Sequence, residues 1–428
     1  MIKFEKKVLD NGLRVILAPM ETTGAVTMQI AVKTGSRNEN KDINGVSHFL
    51  EHLFFKGTKR RPKAGQIMKE LDRIGAGHNA FTSKEMTCFW VKTASKDFDV
   101  GLDILSDMFL NPIFKQKEID KEKGVVLQEI SMCEDDPSRM VWDLLENVAY
   151  GDQPMGWDIL GTGDNIKKIS RDKIIKYRSK NYLAGNAVVV VVGNFDASKV
   201  WKDIKNIFGG IRKGKNKEPQ KTFINQNTPQ VKIRDKKTDQ THMMLAFRAY
   251  DMYDERRYPL GLLSLIFGGN TSSRLWMEIR EKLGLAYYVS SFSEKSFDCG
   301  YLGIAAGVAH ENMEKTVKIA GKILADIGKK GISKKELDDA KSCLRGQTAL
   351  SLESTDSIAS YLAGRELFYN EIIQPEDELK KFEKVTQSDI LKVARDIFKP
   401  EKINMAVIGK HENFADREVY YQELFKNF

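Results

Sequence analysis

The strongest constraint on the fold is that strand-like segments recur once, half the chain length apart. The offset is 216 residues between Gly193 and Gly409 and 215 residues between Ala31 and Ala246. Chance similarity between generic strand–helix units is the alternative, but three matches with one offset favour two homologous halves. The matching pairs of segments are 187–193 with 403–409, 26–32 with 241–247, and the helix-like 45–57 with 260–269.

The junction between the halves lies in residues 209–221, which are rich in Gly, Lys, Pro and Gln, as linkers are. A chain of 428 residues also exceeds what one hydrophobic core usually supports. We therefore expect an N-terminal domain at 1–212, a linker at 213–224 and a homologous C-terminal domain at 225–428.

The fold class follows from the mixture of strand and helix patterns in each half. Alternating apolar residues flank the turn Asn11-Gly12, which predicts antiparallel pairing of 3–9 with 13–18. Amphipathic helices are predicted at 97–109 and 314–327. These patterns predict an α+β protein with two α/β-roll domains, each an antiparallel-rich sheet with helices packed on one face.

Composition limits the compartment and the partners. The net charge is +9, but the 68 basic residues are interleaved with 59 acidic ones, and the basic stretches 56–63 and 212–217 contain no aromatic residues for base stacking. We expect no nucleic-acid partner. The longest apolar run, 187–192, is too short to span a membrane. Four widely spaced cysteines and a start without a secretory signal favour the cytoplasm.

The motif His48-x-x-Glu51-His52 indicates a metal site. On a helix, residues i and i+4 share one face, so both imidazoles can bind one ion while Glu51 stays beside them. Catalytic zinc keeps a water ligand, and a neighbouring carboxylate can accept its proton. Two histidines with an incidental glutamate are the alternative, which is improbable in a chain with 6 histidines.

A third ligand is expected on the predicted helix at 117–131. Glu122, Val125, Val126, Glu129 and Cys133 recur with helical spacing, which places two carboxylates on the stripe expected to be buried. A buried carboxylate requires a partner, and a metal for Glu129 with a hydrogen bond for Glu122 would satisfy both. Two solvated glutamates are the alternative.

This set of residues resembles the insulinase or pitrilysin zinc metallopeptidases over the whole chain, most closely the mitochondrial processing peptidase-like branch with its small bacterial and archaeal members. The resemblance implies one Zn²⁺ per chain, bound by His48, His52 and Glu129. It also implies that Glu51 is the general base on a zinc-bound water and that Glu122 supports the site. The two halves would form a clamshell around an internal chamber.

The resemblance extends to the second half. Segment 272–287 resembles the element from which an arginine and a tyrosine seven residues apart reach the substrate, which maps these roles to Arg280 and Tyr287. A guanidinium and a phenol are suitable donors to a developing oxyanion. A helix-surface charge and a strand residue are the alternative roles.

Residues 79–82 resemble the family's edge strand, which pairs with an extended substrate. The resemblance assigns substrate binding to Asn79, Ala80 and Phe81 through main-chain pairing, which tolerates varied sequences. We interpret the nearby His78 as structural.

The predicted function is that of a zinc endopeptidase that hydrolyses short or unfolded peptides in the chamber. The alternative is a non-proteolytic peptide-binding or assembly subunit of a peptidase-like complex. Comparable chains of this branch pair, so a homodimer is expected. Where processing peptidases use two acidic residues to select arginine, this chain has Arg139 and Asp143, which argues against strict presequence specificity. Manganese or cobalt could occupy the same ligands.

Overall fold

The chain contains two sheets, each at the centre of one compact unit. The computed structural model describes residues 1–411 and 413–426. In the first unit the strands are ordered β1-β2-β6-β3-β5-β4, and only the β2–β6 pair is parallel. The first sheet is therefore antiparallel-rich, as predicted. Its strands are β1 Glu5–Val8, β2 Arg14–Pro19, β3 Ala25–Val32, β4 Gly77–Thr82, β5 Thr87–Ala94 and β6 Ala187–Gly193.

The second sheet repeats the order and the pairing directions of the first without a counterpart of β1. Its order is β7-β11-β8-β10-β9, with β7 and β11 parallel and the other pairs antiparallel. Register is repeated as well, because Ala31 pairs with Val188 and Ala246 pairs with Asn404. The predicted duplication is confirmed at the level of strand pairing. These strands are β7 Gln230–Asp235, β8 Thr241–Arg248, β9 Ala286–Lys295, β10 Gly300–Val308 and β11 Ile403–Gly409.

Helices of the first unit pack their apolar faces on the sheet and on one another. Phe49, Leu105 and Ile174 are examples of the buried residues in this core. Helix α4 begins in the first unit and its last turns belong to the second. The helices are α1 Val46–Phe54, α2 Gln66–Arg73, α3 Phe98–Leu110, α4 Gln116–Asp135, α6 Gly163–Lys168, α7 Arg171–Asn181, α8 Ala197–Phe208 and α12 Thr355–Gly364, with a π-helix at Arg365–Tyr369.

The second unit has its own core, in which Leu263, Phe267 and Val317 are buried. Short 3-10 helices occur in both units, and in residues 1–411 and 413–426 no helix is long and apolar enough to cross a membrane. The helices of the second unit are α5 Pro137–Tyr150, α9 Arg257–Gly268, α10 Met313–Lys330, α11 Lys334–Ser351, α13 Pro375–Glu383, α14 Gln387–Ile397 and α15 Phe414–Lys426, with a π-helix at Trp276–Lys282.

Each sheet is covered on both faces, so the expectation of helices on one face only is wrong. On the first sheet, Leu362 of α12 lies in a buried cluster with Val190, on the face opposite the main core. On the second sheet, Val141 of α5 lies in the corresponding cluster with Met244. All residues of β6 and β11 are buried as a result. This explains their continuous apolar sequences, which are typical of strands covered on both sides.

The units do not coincide with continuous halves of the chain. Residues 131–157 belong to the second unit and 348–375 to the first, so each half contributes one segment to the other unit. The main chain passes between units after residue 220, inside the stretch 213–224. This stretch is hydrogen-bonded to both units: Asn216 donates to Asn186 (3.1 Å) and Thr222 donates to Asp298 (2.7 Å).

Truncation of Leu362 tests the assignment of α12 to the first unit. We expect Leu362→Ala to destabilise that unit by about 2–5 kcal/mol, because it leaves a cavity beside β6. Hydrogen–deuterium exchange should therefore accelerate in β3 and β6 but not in β8 and β11. The control is Leu350→Ala, whose side chain is 69% exposed. Equal acceleration in both sheets would contradict the assignment.

Candidate metal centre

Helix α1 carries the metal motif and is held in the core by its apolar residues. Phe49, Leu50, Leu53 and Phe54 are buried, and they occupy the face opposite the polar motif as helical periodicity requires. The chain leaves the helix at Gly57, whose φ of +128° favours glycine. The predicted helix and its stop at Gly57 are both observed.

The N-terminus of α1 is anchored by the buried carboxylate of Glu39. The amides of Gly45 (2.8 Å) and Ser47 (2.7 Å) and the side-chain amide of Asn44 (3.0 Å) all donate to it. Burial raises the pKa of Glu39 to about 7, against the lowering effect of these hydrogen bonds. The carboxylate occupies the helix end where the amides are otherwise unpaired and negative charge is favoured.

Three side chains converge on one point at the exposed face of α1. The Nε2 atoms of His48 and His52 are 3.3 Å apart, and Oε2 of Glu129 lies 3.5 Å from the first and 3.4 Å from the second. A tetrahedral ion with bonds of about 2.1 Å separates its ligands by about 3.4 Å. The three atoms therefore fit zinc, and they are the one cluster of this kind within the described residues.

Glu122 connects the second histidine to a lysine. Its Oε1 accepts a hydrogen bond from Nδ1 of His52 (2.9 Å), and its Oε2 pairs with Nζ of Lys56 (2.8 Å). Burial would raise the pKa of Glu122, but the bonds from His52 and Lys56 hold it below its usual value. This is the arrangement expected of a carboxylate that orients a metal-bound imidazole.

The two carboxylates lie on α4 as the helical stripe predicted, with one exception. Glu122 is buried and Glu129 is partly exposed, while Val126 and Cys133 are buried. Val125, which the same stripe placed inside, is 41% exposed. A 3.6-residue period sets only the centre of a face, and Val125 lies at its margin.

Glu51 lies beside the ligands and takes no part in the cluster of three. Its Oε2 accepts a hydrogen bond of 2.6 Å from the hydroxyl of Thr82, at the end of β4. Burial raises the pKa of Glu51, while the bond from Thr82 and the charge of His52 oppose the rise. A carboxylate with a raised pKa next to a metal site has the properties of a general base.

Strand β4 contains the three residues assigned to substrate binding. It forms an edge of the sheet and, among the described strands, pairs only with β5. Asn79 and Phe81 are exposed and Ala80 is buried, and the amide of Ala80 donates to the side chain of Asn79 (2.9 Å). His78, outside the metal cluster, contacts the carbonyl of Ala76.

Arg280 and Tyr287 belong to the second unit, where the structure brings them together. The guanidinium of Arg280 lies 4.0 Å from the ring centroid of Trp276 and 5.8 Å from that of Tyr287. Tyr287 begins β9 nearly and its side chain is 78% exposed. Arg139 and Asp143 lie on α5, also in the second unit.

Sequence reasoning missed three residues that contact the motif: Glu39, Lys56 and Thr82. Lys56 stands in a stretch considered only for its positive charge, and Thr82 ends the segment considered only for its main chain. Its hydroxyl and the Lys56 ammonium reach partners 31 and 66 residues away. Helical or strand periodicity carries no information about contacts at such separations.

Comparison with known proteins supplies the family. The model described as insulinase (peptidase family M16) matches residues 14–163, and that described as the peptidase M16 inactive domain matches residues 168–344. The chain belongs to the M16 insulinase family. It is 36% identical over 405 residues to YmxG of Bacillus subtilis, an uncharacterised zinc protease, covering 94% of this chain and 98% of that one.

Other relatives agree with this assignment to the M16 family. An uncharacterised zinc protease of Streptomyces coelicolor is 33% identical over 410 residues, covering 94% of this chain and 89% of that one. Among solved structures, a protease from Helicobacter pylori matches with a TM-score of 0.88 and 27% identity, covering 96% of this chain and 100% of that chain. The resemblance to the insulinase-type peptidases is confirmed, and so is the fold of two homologous domains.

The charge state of His52 predicts how metal affinity depends on pH. Burial lowers the pKa of His52, but hydrogen bonds to Glu122 and Glu129 outweigh it and raise the pKa to about 9. Zinc requires the neutral imidazole, so binding displaces this proton. We expect the affinity to increase about tenfold per pH unit from pH 6.5 to about 9 and then level off.

The same shift has the opposite effect on the metal-free fold. Because the folded pKa is raised, its contribution to stability is complete below pH 6.5 and disappears as the pH rises through about 9. Chelator competition from pH 6 to 10 checks the affinity, and chelator-treated protein checks the stability. Glu122→Gln removes one raising partner and should move the plateau to lower pH. A plateau that starts near pH 6.5 in the parent would contradict the expectation.

Proposed function

We propose that this M16 chain is a zinc-dependent endopeptidase that cleaves short or unfolded peptides, with one zinc ion per chain. The observation that carries the proposal is the mutual spacing of the His48, His52 and Glu129 ligand atoms at 3.3–3.5 Å, with the carboxylate of Glu51 beside them. The family and the names of its relatives support the same class of reaction.

Zinc at these ligands would polarise a peptide carbonyl and lower the pKa of a water molecule. Glu51 is proposed as the base that accepts a proton from the attacking water and donates it to the leaving amine. One carboxylate oxygen, Oε2, is fixed by Thr82 at 2.6 Å. The hydrogen bond sets the plane of the carboxylate and leaves Oε1 for the proton.

The substrate is proposed to bind as an extended strand along β4. The outer edge of β4 offers main-chain groups of Ala80, and the amide of Ala80 is occupied by its neighbour Asn79. An extended peptide would replace that local bond with a main-chain bond, as in strand addition to an exposed edge. Only a chain segment without its own structure can do so, which favours short or unfolded peptides, held in the internal chamber that the family resemblance implies.

Arg280 and Tyr287 are proposed as donors to the substrate carbonyl. The exposure of Tyr287 and the position of Arg280 between two aromatic rings leave polar groups of both side chains available for hydrogen bonding. Donors aimed at a developing oxyanion lower the barrier to its formation.

A homodimer in the cytoplasm is proposed as the working form. All four cysteines lie within the described residues and are thiols, as expected in a reducing compartment. The dimer is supported by the branch resemblance alone. Light scattering after size exclusion tests it, and a single species of 48.6 kDa would reject it.

Replacement of the proposed base tests the reaction. We expect Glu51→Gln to lower cleavage of a quenched peptide library by at least about 100-fold, because a neutral amide cannot accept the proton. Zinc content, measured by elemental analysis, should stay near one per chain in the variant. Glu21→Gln, an exposed glutamate of the same unit, is the matched control and should keep parental activity.

Metal removal completes this test. Chelator treatment should abolish cleavage, and added zinc should restore it. Bound zinc without hydrolysis of any peptide would reject the endopeptidase and favour the non-proteolytic peptide-binding or assembly subunit. A parent protein that binds no zinc would reject the ligand assignment itself.

A further inference from the structure

Lys56 stands behind the metal ligands in a chain of three side chains. Its Nζ atom lies 2.8 Å from Oε2 of Glu122, and Oε1 of the same carboxylate lies 2.9 Å from Nδ1 of His52. Each carboxylate oxygen therefore has one cationic or polar partner. Nε2 of His52 remains directed at His48 and Glu129.

The position of Lys56 is fixed by the backbone at the end of α1. Its amide donates to the carbonyl of Leu53 (3.1 Å), and the following Gly57 turns the chain with a φ of +128°. A side chain at Gly57 would also crowd the carbonyl of Arg61. Lys56 consequently remains beside the helix that carries His52.

Charge balance explains why a lysine is needed there. The side chain of Glu122 is 3% exposed, and a buried carboxylate is costly unless an opposite charge compensates it. A histidine that binds a metal is neutral, so in the metal-bound site His52 can donate a hydrogen bond but supplies no charge. Lys56 supplies the positive charge next to Glu122.

We propose that Lys56 is a positioning residue of the metal centre: its ammonium balances buried Glu122, which in turn holds the ring of His52 with Nε2 towards the ion. The inference rests on the proposed function only for the identity of the ion as zinc. It differs from an ordinary surface ion pair, which stabilises by about 0–1 kcal/mol, because one partner is buried and also contacts a ligand.

Three variants test this role. Lys56→Met removes the charge and keeps the length of the side chain, whereas Lys56→Arg retains the charge. Lys59→Met is the matched control, since Lys59 is exposed and only three residues away. Zinc affinity is measured by competition with a chromogenic chelator, and thermal unfolding of the chelator-treated proteins reports whether each variant folds.

We expect Lys56→Met to weaken zinc binding by about 10-fold or more, as for other residues that support metal ligands. Lys56→Arg should remain much closer to the parent, and Lys59→Met should equal it. Parental zinc affinity in folded Lys56→Met would overturn the inference, as would an equal loss in Lys56→Arg.

A double-variant cycle separates positioning from general stability. In a Glu122→Gln background the charge to be balanced is absent, so Lys56→Met should cause little further loss of zinc affinity. A full additional loss would overturn the inference. Zinc binding by the parent without peptide cleavage would reject the peptidase and leave the role of Lys56 intact, so the two proposals fail independently.

Discussion

Helix α1 can present His48 and His52 to one ion because both ends of the helix are anchored. At its start, the carboxylate of Glu39 accepts hydrogen bonds from two main-chain amides that helix geometry leaves unpaired. After its end, Lys56 pairs with Glu122 on α4, the helix that also provides Glu129. The ligands thus depend on a rigid support more than on their own contacts, and distances near 3.4 Å can be held in the fold itself.

The duplication shows what the second unit does with an equivalent helix. In both units the strand at the centre of the repeat, β3 or β8, leads towards a buried helix, α1 or α9. Helix α9 uses Leu260, Leu263 and Phe267 for packing and carries no histidine. One copy of the repeat therefore retains polar side chains that require partners, while the other devotes the same position to its hydrophobic core.

The sequence alone was sufficient for the features that depend on local spacing. It predicted α1, its stop at Gly57, the carboxylates of α4 and the repeated strands, because each follows from a helical or strand period. It did not predict the exchange of α5 and α12 between units or the contact of Thr82 with Glu51. Those contacts join distant parts of the chain, and the apolar residues that produce them satisfy several alternative packings equally well.

Three buried or half-buried glutamates of the first unit differ in their partners, and the difference assigns their chemistry. Glu122 is matched by an imidazole and an ammonium, which lowers its pKa, so it remains a carboxylate. Burial raises the pKa of both Glu39 and Glu51. Glu39, however, uses both oxygens for three donors. Glu51 has one bond from Thr82 and incomplete compensation of its charge, which is the condition under which a carboxylate gains a proton readily.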